Sequence, residues 1–104
     1  MDEVERLISK TEELIQFLKA HDQDHWANWF SESLILTKNK KAEGLQKVLG
    51  AYGGMGSFND LTLQVTLEDG SINIPEESNK RLDQLRGEVG NLASDLWKKH
   101  NAAN

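Results

Sequence analysis

The hydrophobic period of this chain changes near residue 50, and a run of glycines sits at the change. Up to Leu49, apolar residues recur every three or four positions; from Leu61 to Ile74 they recur every two. Four of the eight glycines, Gly50, Gly53, Gly54 and Gly56, fall between the two regimes. Glycine takes up positive backbone angles and lets chains approach closely, both of which a helix-to-strand reversal requires. The pattern therefore predicts an α+β fold, a mainly helical single domain with three N-terminal helices, a β-hairpin and a long C-terminal helix. A chain of 104 residues is most simply one domain. Its core is expected over about residues 4–98, with 101–104 a frayed tail.

Residues 2–20 read as an amphipathic helix, with Val4, Leu7, Ile8, Leu14, Ile15 and Leu18 on one face and Thr11 interrupting the stripe. Asp2, Glu3 and Glu5 suit its positive end, Lys19 and His21 its negative end. Asp22 or Asp24 is the candidate N-cap of a second helix over about 24–37. Trp26, Trp29 and Phe30 concentrate large aromatic area there. They are expected to anchor the core; the alternative is an aromatic patch that docks a partner. A third helix over 39–49 faces inward with Ala42, Leu45, Val48 and Leu49, carries a Glu43–Lys47 pair at i,i+4, and ends at Gly50.

Beyond the glycines, Leu61, Leu63, Val65 and Leu67 alternate with polar residues as in a half-buried strand. Asp69-Gly70 marks a tight turn, and Ile72-Asn73-Ile74 the return strand, stopped by Pro75. Two strands alone are marginal in water. Their apolar side is expected to lie on helices or to pair with another chain. Pro75 or Ser78 opens the last helix, with Leu82, Leu85, Val89, Leu92 and Leu96 as its seam, and Gly87 and Gly90 positioned for close approach of another helix.

Composition removes several functions. With no cysteine the chain has no disulfide, no thiolate zinc site and no cysteine nucleophile. No stretch approaches the ~18 apolar residues of a membrane helix. The acidic start, Met1 to Arg6, lacks the basic and apolar regions of a secretory signal, so a cytoplasmic location is expected. A net charge of -5 argues against nucleic acid and anionic membranes as partners. Lys38, Lys40 and Lys41 form a small basic cluster, read as a solvated turn.

The search for chemistry centres on the glycines. No Lys-Ser or Lys-Thr follows them, and Asn59 stands where a dinucleotide fingerprint needs its third glycine. The segment also follows a helix and precedes a strand, the reverse of both nucleotide-binding loops. Two readings remain. Either the segment turns the chain, with Phe58 and Met55 in the core, or it presents backbone N–H groups to an anion and side chains to a partner. The candidate binding residues are Tyr52, Gly54, Met55, Gly56, Ser57, Asn59 and Asp60. His21 and His25 have helical spacing for a metal, but no third histidine is near. Ser31, Ser33 and Ser57 sit in no nucleophile elbow. No acid, base and oxyanion site can be assembled, so no cofactor, no metal and no enzyme are expected.

The run Gly53-Gly54-Met55-Gly56-Ser57-Phe58-Asn59-Asp60-Leu61, after a helix bearing Trp26 and Trp29 and one ending in Leu45 and Leu49, resembles a family of short uncharacterised bacterial domains. Some similar domains occur among toxin–immunity systems, so the resemblance implies an inhibitor-like binding role and carries over no catalytic residue. The expected function is a non-enzymatic protein-interaction or regulatory module, using an acidic surface and the loop around Met55. The alternative is a small-ligand or anion binder using the 53–59 loop. The expected partner is another protein, with homodimerisation through the final helix or the hairpin edge as the other route.

Overall fold

A computed structural model of the chain describes residues 1–53 and 56–102. Helix α1 spans Glu3–Ala20 and is capped by Asp2, whose carboxylate accepts from the N–H of Glu5. Leu7, Thr11, Leu14, Ile15 and Leu18 form its buried stripe. Thr11 stays inside because its hydroxyl donates to the Leu7 carbonyl at 2.6 Å. Val4, expected on that face, is 41% exposed, since α1 begins beyond the covered part of the core.

Helix α2 spans Asp24–Lys38 and α3 spans Glu43–Gly50. The turn between α1 and α2 is built differently from the expectation. Neither aspartate caps α2; Gln23 occupies that position without a side-chain capping bond, its amide donating instead to the His21 carbonyl. Asp22 instead closes α1, at φ 59°, with the Gln23 N–H donating to the Leu18 carbonyl and the Asp22 N–H to that of Lys19. This is a Schellman end with aspartate in the place glycine usually takes. Helix α2 ends the same way, with Lys40 at φ 60°. That turn consumes residues 39–42, so α3 starts four residues later than its pattern predicts.

After α3 the chain passes through a 3₁₀ turn, Phe58–Asp60, then strands β1, Val65–Thr66, and β2, Ile72–Asn73. Helix α4, Glu76–Ala102, follows directly on Pro75. It takes in residues 101 and 102, expected as part of a frayed tail. Helices α1 and α4 pack side by side and antiparallel, joined by ion pairs of Lys99 with Glu3 and of Lys10 with Glu88. Helix α2 packs on α1 and α3, and α3 on α4, closing a four-helix body. Phe30, Val48, Phe58, Leu82, Leu85, Val89 and Ala93 fill it alongside the α1 stripe.

The close approaches are not where the glycines of α4 predicted them. Nothing lies within 4 Å of a Cβ placed on Gly87, and Gly90 faces the Tyr52 ring, not a helix. The tightest crossing is α2 on α3, where a Cβ on Gly44 would stand 2.7 Å from the Thr37 backbone nitrogen. Lys47 likewise forgoes Glu43 and pairs with Glu32 at 3.1 Å, lying over the Trp29 ring.

These contacts order three substitutions. Gly87→Ala should stabilise by about 1 kcal/mol from helix propensity alone. Gly90→Ala should recover less, because its Cβ would meet the Tyr52 ring at 3.2 Å. Gly44→Ala should melt lowest, well below wild type. Thermal melts of the three variants check the order.

Candidate functional site

The glycine-rich reversal rests on one face of α4. Asn79, Arg86 and Gly90 lie at spacings of seven and four, so they share that face. Arg86 donates to the carbonyls of Phe58 and Leu61, at 2.7 and 3.0 Å, and is held by Asp83. The Tyr52 hydroxyl donates to the Arg86 carbonyl at 2.8 Å while its ring covers Gly90. Burial pushes the Tyr52 phenol above its ordinary pKa, against the nearby Arg86 charge, so it stays a neutral donor. Phe58, fully buried, is ringed by Trp26, Phe30 and Tyr52 at centroid distances of 5.3, 4.9 and 5.7 Å. Trp29 is half-buried beside Trp26, its indole N–H donating to the Lys47 carbonyl at 2.7 Å. The aromatic cluster thus contributes to the core.

The described candidate residues of the loop bond to the chain itself. Asn59 donates its side-chain amide to the Tyr52 carbonyl at 2.9 Å. Ser57 accepts from the Asn59 N–H, and Asp60 accepts from the Gly56 N–H at 2.8 Å. Gly56 has φ 74°, as its role in the turn requires. Gly54 and Met55 lie outside the described residues.

Asn79 decides where the sheet begins. Its side-chain oxygen accepts from the Leu63 N–H at 2.7 Å, and its amide donates to the Leu63 and Pro75 carbonyls at 3.1 and 2.9 Å. Both backbone groups of Leu63 are therefore taken by α4, and the ladder starts only at Val65. Leu61 and Leu63 pack inward as the alternation predicted; Val65 and Leu67 do not.

Beyond Leu63 the hairpin stands clear of the helices. Val65 pairs with Asn73 and Thr66 with Ile72. The Leu67 N–H donates to the Ser71 carbonyl, leaving a three-residue loop, Glu68-Asp69-Gly70, with Gly70 at φ 87°. The Ser71 hydroxyl and N–H donate to the Asp69 carboxylate and hold its pKa below the usual range. This register places Val65 and Leu67 on one face of the ribbon and Ile72 and Ile74 on the other. The four are 47%, 47%, 62% and 57% exposed. Of the two expected covers for the hairpin's apolar side, the helices take only Leu61 and Leu63, and pairing with another chain is the one left for these four. Charge is concentrated here as well. From Val48 to Asn79 there are five carboxylates and no lysine or arginine, a formal charge equal to that of the entire chain.

A groove of about 420 Å³ opens at the other end of the helical body. Val4, Ala42, Leu45 and Leu96 line it, with Lys40, Lys41, Lys99 and His100 around them and no carboxylate in the lining. The cluster read as a solvated turn thus divides. Lys38 pairs with Glu12 at 3.5 Å, while Lys40 and Lys41 rim an apolar depression. Nothing in one-dimensional spacing marked this, because its walls come from three separate segments. The histidines read as candidate ligands are apart in function: His21 stacks on Phe17, and His25 lies edge-on to Trp26. Among the described residues no three His, Asp or Glu side chains converge as a metal site, and no helix is long and apolar enough to cross a membrane.

Residues 19–69 match the model of a domain of unknown function (DUF6966). The matched segment takes in α2, α3, the glycine-rich reversal and β1, and stops at the hairpin loop before α4. No curated protein and no solved structure matches the chain.

Asn79→Ala would leave the Leu63 N–H and C=O unpartnered at a partly buried position. A loss of about 1–3 kcal/mol follows, together with faster hydrogen exchange at the Leu63 amide. Thermal melts and exchange measured by NMR check this; an unchanged melting temperature would count against the role given to Asn79.

Proposed function

We propose that this protein is a non-enzymatic protein-interaction module of the bacterial cytoplasm that binds through its hairpin, in the manner of an immunity or other regulatory domain. The observation that carries the reading is the hairpin itself: a two-stranded ribbon with apolar side chains uncovered on both faces. Such a ribbon gains stability when another surface covers it. The acidic stretch around it adds charge selectivity. The absence of cysteine fits a reducing compartment. The sequence reading assigned binding to the loop around Met55. The hairpin is preferred because the described groups of that loop already bond within the chain. The GGMGSFNDL stretch lies inside the matched domain segment, which supports reading it as a family feature whose bonds hold the reversal in place.

Photo-crosslinking in cells tests the reading. A benzophenone side chain replacing Ile72 should give a discrete protein adduct. The same group replacing Asn28, exposed on α2, should give none. Absence of a discrete adduct at position 72 would remove the hairpin as a binding surface.

A further inference from the structure

The occupant of the hairpin can be named from the rest of the molecule, on the reading that the hairpin is a binding surface. We infer that it is a second copy of this chain: two protomers lie antiparallel, each inserting its hairpin tip into the lysine-rimmed groove at the far end of the other. A ribbon apolar on both faces suits a cleft with two walls better than a flat surface. The groove has two such walls, Val4 and Leu96 from α1 and α4, and Ala42 and Leu45 from the cap and first turn of α3. Leu67 on one face of the ribbon and Ile72 on the other are the apolar residues nearest its tip.

The charges are opposite in sign at each contact. The tip carries Glu68 and Asp69. The groove carries Lys40 and Lys41, which take part in none of the ion pairs among the described residues, and Lys99, shared with Glu3. A chain cannot satisfy its own groove. The hairpin precedes Glu76 at one end of α4 and the groove includes Lys99 near the other. The helix rises about 35 Å between them, at 1.5 Å per residue. The body is 56 Å long, with its two complementary features at opposite ends. One twofold axis brings both pairs together at once, the isologous arrangement of most soluble dimers.

Light scattering and charge reversal test this. Wild-type protein should have twice the chain's mass at concentrations on the order of 100 μM, enough to saturate a micromolar dimer. The hairpin variant Thr66→Lys/Glu68→Lys spares Asp69, which holds the turn. The groove variant is Lys40→Glu/Lys41→Glu. Each alone should weaken dimerisation about tenfold or more, with melting curves of the dilute monomers confirming the fold. Mixed in equal amounts, the two should dimerise again, because each then offers the other a contact of opposite sign at both ends. A monomeric wild type, growth into larger species, or dimers indifferent to both reversals would overturn the proposal. A position-72 crosslink to a different protein, with the wild type monomeric, would overturn the second copy and leave the interaction reading standing. No discrete adduct at position 72 would remove both.

Discussion

The fold depends on main-chain carbonyls held by α4. Between α3 and α4 the described backbone has only a 3₁₀ turn and two short strands, so its polar groups need partners from elsewhere. Arg86 and Asn79 supply them, one reaching Phe58 and Leu61, the other Leu63 and Pro75. A charged, largely covered guanidinium donating to two carbonyls is a strong use of arginine's fixed donor geometry. It fixes the point at which Phe58 enters the aromatic cluster, and that cluster in turn joins α2 to the reversal. Asn79 acts as a side-chain substitute for a neighbouring strand. It anchors the base of the hairpin and leaves the remainder projecting.

This division explains why the two strands are so short. Up to Leu63 the segment is held by α4 and contributes to the core. From Val65 to Asn73 its bonds are those of its own ladder and loop. The alternation that continues unbroken from Leu61 to Leu67 therefore spans two environments, one supplied by this chain and one left open.

Much of the architecture was legible in the residues. Helical spacing gave α1 and the buried seam of α4 nearly residue by residue, and the glycines lie at the reversal where the period changed. Phe58 is buried, as the chain-turning reading of the glycine segment expects. The capping of the first turn departs from its expectation, because Asp22 suits either a helix start or a left-handed helix end, and backbone hydrogen bonds select the second. The sequence does not single out Gly44 from Gly87 and Gly90, since isolated glycines look alike until the crossing partner is known. The two-faced hairpin is hidden in the sequence for a subtler reason. Each strand alternates properly on its own, but the three-residue loop sets a register that puts the two apolar rows on opposite faces. Turn length, not composition, decided that, and a two-residue Asp-Gly turn would have paired the strands differently.

The placement of the tryptophans makes the two ends of the molecule optically separate. Trp26 and Trp29 sit together, 5.6 Å apart, beside the buried Phe58, whereas Trp97 lies next to His100 on the last turns of α4. Emission from this protein is thus a mixture of a coupled pair at the reversal and a single indole near the basic groove. A tryptophan-to-phenylalanine change at position 97 would isolate the first signal, and the same change at 26 and 29 the second. Loosening at the aromatic cluster could then be followed apart from events at the opposite end, with no added label.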